Sequence, residues 1–345
     1  MLLGTHQIDD LSPAYIIAEM SANHGGDKNR AMEMIYAAKE MGADCVKIQT
    51  YTADTLTLNC DNEYFRITEG LWRGRTLYDL YKEAYMPWDW QPDLFSLAKK
   101  VGIDLISTPY DKSSVDFLET LQIPFYKIAS FELVDLPFIE YVAGKNKAIL
   151  LSTGMATKAE IQRAIEALKR QGNNQYVLLK CSSAYPAEYS DMNLRMIQEF
   201  KKEFDCMVGL SDHSTDYLSA IVAISQGAKI IEKHFCLDRK VETPDVKFSM
   251  QPDEFREMIH KIRQVEEVLG SVHYGPAKGE QENLKFRRSI FLVKDIKKGE
   301  KITEECIKSV RPSYGENPAL WYQIIGSIAK KDLKFGDPLN GEDYE

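Results

Sequence analysis

No apolar run in the 345-residue sequence approaches the roughly 20 residues that a bilayer span requires. The opening MLLGTHQIDDLSP lacks the basic start and long apolar stretch of a secretory signal. Cysteine is sparse. Cys45, Cys60, Cys181, Cys206, Cys236 and Cys306 are scattered with no C-x-x-C, which in a chain of this size reads as reduced thiols in the cytoplasm. Positive charge is not in excess either: a net charge of −9 lacks the basic footprint of a nucleic-acid binder. An anionic substrate would need Lys and Arg gathered locally. Also missing are a G-x-G-x-x-G turn after the first apolar run, a G-x-S-x-G elbow, an H-x-H pair, a Cys with an evident His partner, and any low-complexity segment. What is present, 44% hydrophobic and 28% charged residues, is the composition of a folded chain with ample core.

Eight short runs rich in Ile, Val and Leu punctuate residues 14–235: AYIIAEM, DCVKIQT, GIDLIST, PFYKIAS, AILLST, YVLLKCS, CMVGLSD and AKIIEKHF. They are nearly continuous rather than alternating, as parallel strands covered on both faces are. Helix signals lie between them. Asp27 caps a stripe of Met34, Ile35, Ala38 and Met41 that stops at Gly42. Thr157 and Glu160 form a capping box, and 252–270 is a last amphipathic stretch ending in Gly270. Eight strand-then-helix units in about 250 residues predict an α/β fold, a (β/α)8 TIM barrel, over 1–270. Residues 271–284 read as a linker. Residues 285–345, with two K-D-[IL]-K-x-G elements, read as a small β-rich domain in which each element is a short strand and a Lys-Gly turn. The long connection after the second run holds Trp72, Tyr78, Tyr81, Tyr85, Trp88 and Trp90. It reads as a lid, or else as rim filling.

Nearly every run ends in a polar residue: Glu19, Lys47, Gln49, Ser107, Thr108, Lys127, Ser130, Ser152, Thr153, Lys180, Ser182, Ser211, His213, Glu232 and His234. In a closed barrel those ends converge on one mouth. Lys47 and Lys127 with Ser and Thr suit a small polyanion, or each lysine simply pairs with a neighbouring carboxylate. His213 and His234 end the seventh and eighth runs. On adjacent strands, which lie about 4.8 Å apart, they could share one divalent ion, or be two hydrogen-bonded neutral imidazoles. Two protein ligands leave an open shell, as in a catalytic metal site. Glu19, Glu132, Glu232 and Asp245 are the acidic candidates, Glu232 alternatively a structural partner of Lys47 or Lys127. His24 lies in the first loop.

The segments I-I-A-E-M-S-A-N-H-G-G, G-A-D-C-V-K-I-Q-T-Y-T, Y-K-I-A-S-F-E, L-S-T-G-M-A-T, K-C-S-S-A-Y-P, G-L-S-D-H-S and I-E-K-H-F together resemble the sialic acid synthase family. R-P-S-Y-G and the K-D-[IL]-K-x-G elements resemble that family's antifreeze-like SAF (β-clip) domain. G-L-W-R-G-R-T-L-Y-D-L-Y-K-E-A-Y and K-C-S-S-A-Y-P are most similar to the pseudaminic acid branch, and Ser183 stands where N-acetylneuraminate synthases tend to carry Asn. The resemblance implies condensation of phosphoenolpyruvate (PEP) with an N-acetylated amino sugar, in this branch 2,4-diacetamido-2,4,6-trideoxy-L-altrose, releasing phosphate. It implies that Lys47, Thr108, Lys127, Ser130, Ser152, Ser182 and Ser211 hold PEP, and that His213 and His234 hold Mn2+, with Mg2+ or Co2+ as alternatives. It makes Glu19 and Glu232 catalytic carboxylates, and brings Glu132, Ser183, Tyr185 and Asp245 to the sugar. It further implies a domain-swapped homodimer in which Arg311 of the partner subunit meets the sugar. The rivals are an N-acetylneuraminate or legionaminate synthase and a non-catalytic carbohydrate-binding protein.

Overall fold

The computed structural model describes residues 1–70 and 72–345. All eight apolar runs are strands: β1 Tyr15–Glu19, β2 Cys45–Thr50, β3 Asp104–Pro109, β4 Tyr126–Ile128, β5 Ile149–Ser152, β6 Tyr176–Cys181, β7 Met207–Asp212 and β8 Ile230–His234. They form one parallel sheet in the order β3-β2-β1-β8-β7-β6-β5-β4. The end strands β3 and β4 lie side by side, so the sheet curls into a nearly closed TIM-like barrel. Register sets the depth of the polar residues. Glu19 is opposite Lys47 on one side and His234 on the other, and Glu232 is opposite Ser211.

Helices α1 (Lys28–Met41), α2 (Gln91–Val101), α3 (Lys112–Thr120), α4 (Leu136–Ala143), α5 (Lys158–Arg170), α6 (Met196–Phe204), α7 (Leu218–Ser225) and α8 (Pro252–Leu269) follow the strands in turn. Local chemistry sets their ends. The Asp27 carboxylate accepts from Asn29 and Arg30 N–H, and Gly42 takes φ 92°, so α1 begins and stops where its sequence signals lie. Thr157 and Glu160 exchange hydrogen bonds at the start of α5. α1 buries Ala31, Met34, Ile35, Ala38 and Met41, and each large apolar side chain so removed from water stabilises by about 1.5–3 kcal/mol.

The chain divides into two compact units, Met1–Gly270 and Ser271–Glu345. In the second, strands β9 (Ser289–Leu292) and β10 (Ile307–Val310) pair antiparallel over a core of Ile290, Leu292, Ile296, Ile302, Leu333 and Leu339 among others. The K-D-[IL]-K-x-G elements are isolated bridges rather than the strands expected of them. They pair with each other. Ile296 and Leu333 exchange backbone hydrogen bonds of 2.9 and 2.8 Å, Lys297 meets Asp332 at 2.9 Å and Lys334 meets Asp295 at 2.8 Å. Each copy of the repeat is thus one half of a self-complementary clasp. No helix among the described residues is long and apolar enough to cross a membrane.

Candidate active site

Side chains alternate along a strand, so only every second residue of a barrel strand points inward. At the C-terminal end of the barrel the inward positions surround a cavity of about 400 Å³. Its floor carries Lys47, Lys127, Glu232, Ser152, Ser211 and Cys181. His213, His234, Asp245, Tyr185, Glu132 and Ser130 stand around it. Ser107, Thr153 and Lys180, polar residues at the same strand ends, lie on the opposite parity. Ser107 bonds Thr50 and the Ile48 carbonyl, Thr153 bonds the Leu179 carbonyl, and the Lys180 ammonium donates to Cys181 O. His24 is buried against Trp90 and does not line the cavity.

Four ionisable side chains, all 3% exposed or less, make up the ionic group: Lys47, Lys127 and Glu232 line the floor, and Glu19 lies off the cavity lining, paired to Lys47. Lys47 Nζ is 2.7 Å from Glu19 Oε2 and 3.5 Å from Glu232 Oε1, and it donates to Thr108 Oγ1 at 3.1 Å. Lys127 Nζ is 3.6 Å from the same Glu232 oxygen, beyond a good hydrogen bond. Ser211 donates to Glu232 at 3.2 Å, and Gln49 donates to Glu19 at 3.0 Å and to Ser21 at 2.9 Å. Burial raises the Glu19 carboxyl, against the pull of Lys47. Burial acts on Glu232 too, but Lys127 and Lys47 outweigh it and hold that carboxyl low. A proton on Glu19 leaves two ammoniums facing one carboxylate, a net positive floor. Buried ion groups of this kind are poor sources of stability, which favours a role in binding. The two alternatives for the lysines are therefore not exclusive: they pair with carboxylates and still face the cavity.

The imidazoles of His213 and His234 are 5.3 Å apart, caged by Tyr185 at 4.5 Å from the first and Phe248 at 4.9 Å from the second. His213 Nδ1 lies 2.9 Å from the Ser182 carbonyl, which can only accept. That nitrogen therefore carries a proton, and Nε2 is the nitrogen left to meet a ligand. Burial pulls the His213 pKa down, but Cys181 and the Ser182 carbonyl outweigh it and raise it, so a metal bound at Nε2 would have to displace a proton. His234 Nδ1 is buried with no hydrogen-bond partner, and Asp245 Oδ2 is 3.9 Å away. Burial, with His213 and Lys47 nearby, pushes the His234 pKa well down and keeps the ring neutral. A neutral His234 with an orphaned nitrogen beside the outward nitrogen of His213 suits a divalent cation, whereas a hydrogen-bonded pair would leave no orphan. Among the described residues no group of three or more His, Cys, Asp or Glu closes around an ion, so such a site would be open to ligand.

A buried clamp on the outer face sets the two histidines. Lys233 and Asp212, both fully buried, pair at 2.9 Å. Asp212 also accepts from the Ser214 N–H (2.8 Å) and the Ser219 hydroxyl (2.6 Å). Each clamp residue immediately neighbours a cavity histidine, so the ion pair ties the ends of β7 and β8 at the depth of the imidazoles. Gly154 sits at φ 41°, and a Cβ there would stand 2.6 Å from the hydroxyls of Ser130 and Ser183. The L-S-T-G turn can therefore pass behind those residues only as glycine.

Other sequence candidates fall elsewhere. The Ser182 hydroxyl donates to Asp191 O at 3.0 Å, away from the cavity, and its carbonyl orients His213 instead. Thr108 meets the site through Lys47, and Ser183 lies behind Cys181 with their polar atoms 3.8 Å apart. Arg311 belongs to the second unit. Sequence reasoning missed Cys181, whose sulfur is 3.9 Å from His213 Nδ1. No spacing rule links residues 181 and 213, which only the β6–β7 register brings together. It also missed Tyr51 and Tyr110 on the cavity wall. The long connection splits. Leu56, Ile67, Trp72, Leu77, Leu80 and Tyr81 line the cavity, while Trp88 stacks on Phe117 and Trp90 meets His24 edge to face, as rim filling.

A family model described as the NeuB family matches residues 34–274, and one for the SAF domain matches 287–345. The chain belongs to the NeuB family. It is 44% identical over 345 residues to a pseudaminic acid synthase of Campylobacter jejuni, covering all of both chains. It is 43% identical over 337 residues to the pseudaminic acid synthase of Helicobacter pylori, covering 97% of this chain and 99% of that one. Among solved structures it resembles an N-acetylneuraminic acid (sialic acid) synthetase of Leptospira borgpetersenii in complex with citrate. That likeness has a TM-score of 0.73 and 30% identity, and covers 82% of this chain and 94% of that one.

Proposed function

We propose that this NeuB-family chain is a pseudaminic acid synthase. It would condense PEP with the open-chain aldehyde of 2,4-diacetamido-2,4,6-trideoxy-L-altrose and water, giving pseudaminic acid and phosphate. The observation that carries the reading is the whole-length likeness to pseudaminic acid synthases. The cavity supports it, because a floor of two buried ammoniums suits an enol phosphate better than a neutral ligand.

Lys47 and Lys127 bind the charged ends of PEP, with Ser130, Ser152 and Ser211 offering hydroxyls. Fixed so, the enol face meets the aldehyde at near-attack distance. The C3–C1 bond forms, and PEP C2 becomes an oxocarbenium-like cation whose charge Glu232 offsets. The aldehyde oxygen takes the proton that Glu19 carries in the resting floor and ends as a hydroxyl. Water adds at C2 and returns a proton to Glu19, and the C2–O bond to phosphate breaks, the phosphate leaving with the remaining C2–OH proton and the 2-keto acid staying behind. Glu19, raised by burial, is poised for that proton transfer near neutral pH. A divalent cation held by His213 and His234, Mn2+ on this reading, would supply Lewis-acid polarisation of the aldehyde oxygen. The same reading includes a homodimer in which Arg311 of the partner subunit reaches the sugar.

Purified protein given PEP, Mn2+ and the altrose derivative is expected to release phosphate. A panel with N-acetylmannosamine and the legionaminate precursor should give much lower kcat/KM, and equal rates on all three would move the chain to another branch. Sugar bound with no phosphate released would point to the carbohydrate-binding alternative.

Glu132 is expected to meet the sugar. Burial pushes its carboxyl up to about 7, and its Oε2 is buried without a partner. A carboxylate accepting from sugar N–H or O–H must be ionised, so kcat/KM for the sugar should rise with pH through about 7. Glu132→Gln should flatten that limb and lower the plateau about tenfold. A pH profile unchanged by the substitution would remove Glu132 from the site.

A further inference from the structure

The cavity has two unlike halves. One is the ionic floor. The other is a continuous apolar wall of Leu56, Ile67, Trp72, Leu77, Leu80 and Ala84, all from the connection between β2 and α2. Neither an enol phosphate nor a hydroxylated sugar ring needs six apolar side chains. Within this wall the Trp72 indole N–H is buried without a partner, and that group can only donate. Its ring lies 6.0 Å from Tyr185, which in turn lies 4.5 Å from His213, so the orphan donor stands one aromatic ring away from the imidazoles. Glu132 presents a buried unpaired acceptor to the same cavity.

An unpaired donor set in apolar side chains matches a ligand group that couples a carbonyl oxygen to a methyl. An N-acyl amide does so, and its N–H answers the unpaired acceptor. We propose that Trp72 and the surrounding wall read an N-acyl group of the sugar: the indole N–H donates to the acyl oxygen, and the methyl packs on Leu77 and Leu80. The proposal rests on the condensation reading and adds to it the residues that select an acylated over a hydroxylated sugar. Trp72 is a specificity residue and takes no part in the proton transfers.

The test compares wild type, Trp72→Phe and Leu77→Ala in steady state on the diacetamido sugar and on its two analogues with one acetamido group replaced by hydroxyl. Wild type should prefer the diacetamido sugar by about 10- to 200-fold over one analogue. Trp72→Phe should lower kcat/KM for the diacetamido sugar about tenfold, the usual worth of one neutral hydrogen bond, and leave that analogue and the KM for PEP unchanged. Leu77→Ala should narrow the same ratio. In parallel, the 15N-indole resonance of Trp72, assigned through Trp72→Phe, should shift on adding N-acetylmannosamine and not mannose. A shift without phosphate release sinks the condensation reading and leaves this one standing. Unchanged ratios in both variants, with an unmoved indole resonance, overturn the assignment of Trp72.

Discussion

Lys127→Met is expected to lower kcat/KM for PEP by about 10³-fold, mostly through KM. Lys127 is 2% exposed and its nearest carboxylate oxygen is 3.6 Å away, so its ammonium is not spent inside the protein. Burial already pulls its pKa down, against the field of Glu232, and a bound dianion would relieve that penalty. Charge-assisted hydrogen bonds to such an anion are worth about 1.5–3 kcal/mol each, and two of them account for the factor expected. Met keeps the length of the stem and removes the charge. Glu232 retains Lys47 at 3.5 Å, so the substitution does not strand a buried carboxylate. Phosphate-release kinetics at varied PEP, with the thermal midpoint measured alongside, check it. A KM for PEP that stays at the wild-type value in a folded variant takes Lys127 out of the anion site.

Much of this arrangement was legible before any coordinates, because barrel strands buried on both faces write themselves as apolar runs, and their ends must converge. Parity was not legible. Lys127 and Lys180 both stand near strand ends in similar runs, yet one faces the cavity and the other donates to Cys181 O. A one-residue change of phase turns a side chain to the other face, and continuous apolar runs carry no alternation from which to read that phase. Ser182 differs from its expected place for the same reason: it follows the inward Cys181, so its hydroxyl turns to Asp191 O. Its contribution is a backbone carbonyl, which no side-chain pattern records. The Lys233–Asp212 clamp escaped because a charged pair in sequence looks like solvated surface until register buries it. The clasp between the two K-D-[IL]-K-x-G elements could be seen as a repeat, but not as a mutual pairing, since a repeat fixes similarity and leaves contact open.

Chelation is expected to abolish turnover, with a fall of about 10³-fold or more on treatment with EDTA and recovery on adding Mn2+. The structural reason lies in the two imidazoles. His213 offers Nε2 because its Nδ1 proton goes to Ser182 O, and His234 is held neutral with a buried nitrogen that nothing in the protein satisfies. His213→Ala and His234→Ala should each match the chelated enzyme. A second readout separates ligation from catalysis: the six-line electron paramagnetic resonance signal of free Mn2+ should be quenched by wild type and persist with either variant. The fold should tolerate both changes, because β7 and β8 are tied by Lys233 and Asp212 on the outer face rather than by the histidines. Breaking that clamp is a different perturbation. Lys233→Met strands a buried carboxylate, which costs about 3–5 kcal/mol, and should lower the thermal midpoint. Histidine variants that bind Mn2+ as wild type does, or turnover indifferent to EDTA, would leave the imidazole pair as packing beneath Tyr185 and Phe248 and require the aldehyde to be polarised by the floor lysines alone.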